Sequence, residues 1–141
     1  MLKEDFPQLE IQILKLSIMY KYFFLLLFPF LIISQENNQV YEVLSYDDFK
    51  NKISNNKVLL FDVRTMEEYN NGHLKGSVNI DFYEEELFNK FFKKVEKSKP
   101  IYIYCRSGNR SKKSSEKLKE LGFVKVYDLE GGYKNWIIKS N

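Results

Sequence analysis

The stretch IYIYCRSGNRSKKSSEKL, residues 101–118, joins an apolar run to a short polar turn and then to a segment of helical character. Cys105, the only cysteine of the 141-residue chain, ends the apolar run. This pattern predicts a buried β-strand, a tight loop, and a helix that begins near Ser111. A strand that passes directly into a helix is the building unit of α/β proteins. The same strand–helix unit recurs elsewhere in the chain.

Strand and helix patterns alternate over the rest of the chain from about residue 40. Apolar runs that lack a polar alternation predict strands covered on both faces, as in parallel sheets. The predicted strands are VYEVL at 40–44, a run at 58–63 within KVLLFDVR, a short strand near Val78, IYIY at 101–104 and FVKVYDL at 123–129. With helices between and after them, these strands predict an α/β domain whose mainly parallel, five-stranded sheet is flanked by helices.

Local signals mark the ends of several predicted helices. Ser45 and Asp48 have the three-residue spacing of a capping box, and so do Thr65 and Glu68. In a capping box the first side chain and the acidic side chain satisfy backbone N–H groups at a helix start. We therefore expect helices to begin directly after Ser45 and Thr65, while Gly122 is expected to end the helix after Cys105.

Two further segments have apolar residues at helical spacing. The segment YEEELFNKFFKKV, residues 83–95, begins with acidic residues and ends with lysines, an order that suits the helix dipole. Its predicted core-facing residues are Leu87, Phe88, Phe91, Phe92 and Val95. The last predicted helix, in GGYKNWIIK, is expected to pack through Trp136 and Ile137.

The first 34 residues have the layout of a leader. Lys21 precedes an apolar run at 22–33, and the small residue Ser34 follows before a polar segment. This order is typical of a secretory signal peptide, and the run is shorter than the roughly 20 residues that span a bilayer. We expect residues 1–34 to be the leader, with Met19 as the alternative true start. The mature domain would be residues 35–141, periplasmic or secreted, and an uncleaved membrane anchor is the alternative.

Composition restricts the function classes. The net charge is only +3, and the lysines are mixed with acidic residues, so no nucleic-acid partner is expected. One cysteine cannot form an internal disulfide, and one histidine with one cysteine makes no zinc cluster. We therefore expect neither a metal nor a cofactor, and the thiol is either a buried structural group or a reactive one.

The position of Cys105 favours the reactive interpretation. Ligands of parallel α/β sheets bind beyond the carboxyl ends of the strands, where Cys105 is predicted to lie. The N–H groups at the start of the following helix lack helical partners and carry partial positive charge. These donors, together with Arg106 and Arg110, favour the thiolate over the thiol. The loop is therefore predicted to be a nucleophile within a pocket for a small anion.

Three separate segments resemble rhodanese-type sulfurtransferases. CRSGNRS, residues 105–111, resembles the active-site loop of that family. DVRTMEEYNNGHLKGSVNI at 62–80 is similar to its upstream signature, and LGFVKVYDLEGGYKNW at 121–136 resembles its closing segment. Together they span nearly all of residues 40–138 in the order of the family. The resemblance implies a single rhodanese-like domain.

The resemblance also implies a mechanism. Cys105 would take the outer sulfur of an anionic donor such as thiosulfate, form a persulfide, and pass the sulfur to cyanide or to a thiol, for example a protein thiol. The implied substrate-binding residues are those of the loop: Arg106, Ser107, Gly108, Asn109, Arg110 and Ser111. Asp62 and Arg64 are expected to be scaffold residues, with Arg64 paired to Glu68. The single histidine, His73, is expected to be structural.

Two alternatives stay open from the sequence. The first is a non-catalytic rhodanese-like module that binds a partner. The second is a cysteine-dependent phosphatase or arsenate reductase, which would also place its cysteine in an anion-binding loop. The related phosphatase loops have one more residue between cysteine and arginine than the four that separate Cys105 from Arg110. The tighter ring suits a sulfur atom better than a tetrahedral phosphate, and Tyr104 stands where tyrosine phosphatases have histidine.

Overall fold

The computed structural model describes residues 6–27, 40–54 and 57–140. Contacts divide the chain into two compact units, Met1–Asn37 and Asn38–Asn141. The second unit contains the sheet and every predicted site residue.

Helix α1, Phe6–Leu27, belongs to the first unit. It includes Met19 and the first residues of the predicted apolar run. Within the described part of the chain, no helix has both the length and the hydropathy to cross a membrane. The predicted cleavage point at Ser34 lies outside the described residues. Cleavage and export therefore stay predictions.

A five-stranded parallel sheet forms the centre of the second unit, as the sequence predicts. Its strands pair in the order β1-β5-β4-β2-β3, and all four neighbouring pairs are parallel. Central β4 lies between β2 and β5, so its carboxyl end meets those of both neighbours at one edge of the sheet. The strands are Tyr41–Leu44, Leu59–Asp62, Val78–Asn79, Ile101–Tyr104 and Val126–Leu129.

Five helices connect and follow the strands, and both predicted capping signals are present. The Thr65 side chain accepts a hydrogen bond from Glu68 N, and Thr65 N donates one to Glu68 Oε2, which completes the capping box of α3. At the start of α2, Asp48 N donates to Ser45 Oγ at 3.2 Å. Helices α2 to α6 are Tyr46–Ser54, Met66–Asn70, Glu85–Lys94, Asn109–Glu120 and Gly132–Ser140.

Alternate residues of β4 enter two different cores, one on each face of the sheet. Ile101 and Ile103 pack in a cluster with Phe88 and Phe92 of α4 and with Leu118 of α5. Tyr102 and Tyr104 pack in a second cluster with residues of α2 and β2. All four residues of β4 are buried, which explains why this strand is apolar without alternation. Cys105 continues the register into the first cluster.

Two residues predicted to face the core lie at the surface. Leu87 is 60% exposed and Ile137 is 44% exposed. Leu87 precedes Phe88, and a step of one residue turns a helix by about 100°, so Leu87 lies on the flank of the stripe that Phe88 and Phe92 define. In α6 the packing side chain is Trp136, whose ring lies 4.9 Å from that of Tyr46.

The two sides of α4 therefore predict different mutational costs. Phe92→Ala should lower the free energy of unfolding by about 3–5 kcal/mol, because it removes a fully buried ring from a packed cluster. Leu87→Ala, on the same helix, is the matched control and should change it by no more than about 0.5 kcal/mol. Urea unfolding of the two variants measures both values. Equal losses would contradict the assignment of the buried face.

Candidate active site

Cys105 lies directly after β4 and is only 1% exposed. Its Sγ accepts a hydrogen bond from Gly108 N at 3.1 Å, and Ser111 Oγ lies 3.4 Å from it. The loop therefore turns its backbone toward the sulfur, as the sequence predicts. Fewer backbone donors contact the sulfur than predicted, since among the described residues only the Gly108 N–H is hydrogen-bonded to Sγ.

Helix α5 begins two residues earlier than predicted, at Asn109 rather than Ser111. Gly108 is its N-cap residue and has a φ of +99°, in the left-handed region that side chains with a Cβ rarely adopt. This turn brings the Gly108 N–H back over Cys105 and starts the helix at once. Arg110 therefore belongs to the first helical turn and not to the loop.

The start of helix α6 holds the backbone of the loop from the other side. Tyr133 N donates to Cys105 O at 2.8 Å, and Lys134 N donates to Arg106 O at 3.0 Å. At Gly132 a Cβ would lie 2.4 Å from Cys105 O, so only glycine allows this approach. Sequence reasoning missed this contact between the double glycine and the loop. A glycine pair directly after the last strand was the available signal.

Arg64 and Arg110 both form ion pairs, and the partner of Arg64 differs from the predicted one. The expected pair of Arg64 with Glu68 is wrong. Arg64 Nη2 contacts Asp62 Oδ2 at 2.6 Å, with both side chains almost fully buried. Glu68 instead receives Arg110 Nη1 and Nη2 at 2.6 and 2.7 Å. The Arg110 guanidinium holds the pKa of Glu68 down at about 2.

A cleft of about 490 Å³ opens over the sulfur. Arg106, Ser107 and Asn109 are exposed along it, so the structure brings all three to the site, as predicted. Arg106 has no side-chain hydrogen bond or ion pair within the described ranges, and its guanidinium is available to an anion. The opposite wall was not predicted. It consists of Thr65, Glu67, Glu68, Asn71 and Tyr83.

Behind the sulfur lies a buried carboxyl group that sequence reasoning missed. Asp128 is 2% exposed, and its Oδ2 accepts hydrogen bonds from Ser111 Oγ and Tyr41 Oη, each at 2.8 Å. Burial raises the pKa of Asp128 to about 6, although these two hydrogen bonds act in the opposite direction. An acidic residue in the middle of the apolar strand VYDL was the signal that could have revealed it.

Other polar residues of the predicted motifs support the surrounding backbone. Asn79 Nδ2 donates to the carbonyl oxygens of Asp62 and Arg64 at 3.0 and 2.8 Å. Ser77 Oγ donates to Leu74 O at 2.8 Å. The ring of His73 stacks on Tyr69 with 3.8 Å between the ring centroids, and His73 does not line the cleft. The stacking of His73 agrees with the structural role expected of it.

The fold and the site together define the class. This is a parallel α/β protein with a buried cysteine at the end of its central strand, below the N-terminus of a helix. A family profile described as "Rhodanese-like domain" matches residues 45–139. The chain belongs to the rhodanese-like family.

Individual relatives agree with this assignment. A tRNA uridine(34) hydroxylase of Pelagibacter ubique is 42% identical over 62% of this chain and 29% of its own length. The thiosulfate sulfurtransferase GlpE of Coxiella burnetii is 26% identical over 69% of this chain and 88% of its own length. The crystal structure of a rhodanese-related protein from Thermoplasma volcanium matches with a TM-score of 0.61 and 30% identity, over 70% of this chain and 93% of that chain.

Relatives of this chain differ in their overall size. The chain spans less than two thirds of several curated relatives that it matches. The family profile covers residues 45–139, which include the cysteine loop and most of the last helix. Sulfurtransferases are among these relatives.

The ion pair between Glu68 and Arg110 predicts a pH-dependent contribution to stability. Glu68→Gln preserves the capping box, since glutamine also serves at that position, but removes the charge. A carboxyl whose folded pKa is lowered stabilises the fold above its unfolded value, which is near 4.5, and this contribution is lost as the pH falls toward 2.

We therefore expect Glu68→Gln to be less stable than the wild type at pH 7, and the difference to shrink steadily below pH 4.5. Urea unfolding at a series of pH values measures the difference. The matched control is Glu67→Gln on the same helix, which has no ion pair within the described ranges and should show little change. A difference for Glu68→Gln that is constant with pH would contradict the role of the ion pair.

Proposed function

We propose that this protein is a sulfurtransferase that moves sulfane sulfur from an anionic donor such as thiosulfate to a thiophilic acceptor. The Cys105 thiolate attacks the outer sulfur of the donor, a new S–S bond forms on Cys105, and sulfite leaves with the electron pair of the broken bond. Cyanide or a thiolate then takes the outer sulfur and regenerates the thiolate. Each step conserves charge, and the two steps together form a double-displacement cycle.

The observation that carries this proposal is the position of the single thiol. Sγ lies below the Gly108 N–H at the base of an open cleft, and the exposed Arg106 guanidinium stands at the same cleft. A backbone donor at this distance can stabilise the negative charge of a thiolate or a persulfide. The exposed cation can attract and orient the sulfonate end of the donor. No cofactor takes part in the proposed cycle.

The position of Arg110 favours sulfur transfer over phosphate hydrolysis. A cysteine-dependent phosphatase would need the arginine after the loop to bind the phosphoryl oxygens. Arg110 instead makes two hydrogen bonds to Glu68 on the opposite side of the cleft. It braces the loop, and its guanidinium is therefore not available to a phosphoryl group over Sγ. An assay with an aryl phosphate beside thiosulfate and cyanide distinguishes the two activities.

The first test follows the sulfur directly. Treatment of the protein with thiosulfate should add about 32 Da, and peptide mapping should locate the added mass on Cys105. Cys105→Ser should remain folded, gain no mass and lose the transfer of sulfur to cyanide. A folded wild-type protein that gains no mass from a panel of donors would favour the partner-binding module instead. Transfer by Cys105→Ser would refute the proposed nucleophile.

The second test concerns donor binding. Arg106→Ala should lower kcat/KM for thiosulfate by about ten- to a hundredfold, chiefly through KM, because it removes a charge-assisted contact with the anion. Lys113→Ala removes an exposed positive charge from α5, outside the cleft, and serves as the matched control. Steady-state kinetics at constant ionic strength separates the two. Equal effects of both variants would indicate only a general attraction of anions.

A further inference from the structure

The Asp128 carboxyl group is buried without a cation. It lies on β5, and the groups that face it are Tyr41 from β1, Ser111 from α5 and Cys105 at the end of β4. Two further charges act on this cluster: the exposed Glu116 of α5 acts on Tyr41, and Arg110 acts on Cys105. Among the described residues no lysine or arginine forms an ion pair with Asp128. Asp128 Oδ1 has no hydrogen-bond partner in this part of the chain.

The Ser111 hydroxyl connects this carboxyl group to the sulfur. Ser111 Oγ lies 2.8 Å from Asp128 Oδ2 and 3.4 Å from Cys105 Sγ. One hydroxyl has one proton, so it cannot donate to both atoms at once. When Asp128 is ionised, the carboxylate is the stronger acceptor and Ser111 presents its lone pairs to the sulfur, an arrangement that suits a thiol. When Asp128 is protonated, Ser111 is free to donate to a thiolate.

We propose that Asp128 accepts the proton of Cys105 through the Ser111 hydroxyl. The Cys105 S–H bond breaks and its proton goes to Ser111 Oγ, while the original Ser111 proton moves to Asp128 Oδ2. One carboxylate charge is replaced by one thiolate charge, so nothing is oxidised or reduced and the net charge is unchanged. Ser111 touches the reacting sulfur, whereas Asp128 is a positioning residue that acts through it.

The surroundings of Asp128 favour its protonated form when the thiolate is present. Two negative charges so close together in a buried region would repel each other, and one shared proton relieves this repulsion. Asp128 Oδ1 has no hydrogen-bond partner among the described residues, so the carboxyl proton is best held on Oδ2, from which it can form a hydrogen bond to Ser111 Oγ. Burial raises the pKa of Asp128 to about 6, which places its proton exchange in an accessible pH range. Tyr41, whose pKa burial and Asp128 raise above its usual value, stays a donor.

The inference rests on the proposed function only in treating the thiolate as the working nucleophile, so its test measures the thiol itself. The rate of alkylation by iodoacetamide reports the thiolate fraction, and Cys105 is the only cysteine in the chain. For the wild type we expect the rate to rise in two steps with pH. The first step, near pH 6, is the loss of one of the two shared protons, and the second step is the loss of the other.

The variants give separate expectations. Asp128→Asn and Ser111→Ala should each show a single step and lose the rise near pH 6. Tyr41→Phe is the matched control, because it removes the other hydrogen bond to Asp128 Oδ2 but leaves the path through Ser111. It should keep two steps, with the first moved to higher pH, since the lost hydrogen bond lowers the pKa of Asp128. A merely structural role of Asp128 would change rates at all pH values alike.

A single step in the wild type, or two unchanged steps in both Asp128→Asn and Ser111→Ala, would overturn the inference. If these variants fail to fold, carboxyl ¹³C NMR of the wild type replaces them. Asp128 should titrate in two phases with the free thiol and in one phase after alkylation, and identical curves would overturn the inference. Two alkylation steps without a thiosulfate-derived persulfide would refute the proposed function alone. If thiosulfate gives a persulfide but the alkylation rate rises in a single step with pH, only the proton path is refuted.

Discussion

The close contact between Gly132 and the carbonyl group of Cys105 is the constraint on which the rest of the site depends. Because no side chain separates the two backbones, the first N–H groups of α6 reach the carbonyl oxygens of Cys105 and Arg106. These carbonyls therefore point toward α6, and the Gly108 N–H turns the opposite way, over the sulfur. The loop is held from both sides by main-chain hydrogen bonds, which leaves its side chains free for binding.

The distribution of charge follows from which groups find partners inside the fold. Asp62 holds Arg64 and Glu68 holds Arg110, so two of the three arginines near the cleft have a structural role. The Arg64–Asp62 pair is buried and the Arg110–Glu68 pair is partly buried, and each fixes the backbone next to it. Arg106 is the arginine of this group that faces solvent. Asp128 is the opposite case, a buried acid without a cation, and such a group responds to burial by binding a proton more readily.

The order of strands and helices could be predicted from the sequence, because it depends on local patterns: apolar runs for the strands and the Thr65–Glu68 capping box for α3. The partner of Arg110 could not, since Glu68 is 42 residues away and only the folded sheet brings the two together. Arg64 was predicted to pair with Glu68 because the two are close in the chain. Asp62 is closer still to Arg64 in the chain and is fully buried, and it is the partner that Arg64 contacts. Asp128 was missed for a related reason, because its role depends on a hydrogen bond from Ser111, which lies on another element.

The early start of α5 shortens the cysteine loop, and the short loop limits the kind of anion that the site can stabilise. With the helix beginning at Asn109, only three residues separate Cys105 from it, and Arg110 is directed to Glu68 instead of the sulfur. A phosphoryl group over Sγ would then lack the Arg110 guanidinium as a partner for its oxygens. A persulfide carries a single charge on one added atom, and the Gly108 N–H already points there. With Asp128 behind it, that single charge is easiest to hold when the carboxyl group is protonated, so the same geometry that limits the anion also couples it to a proton.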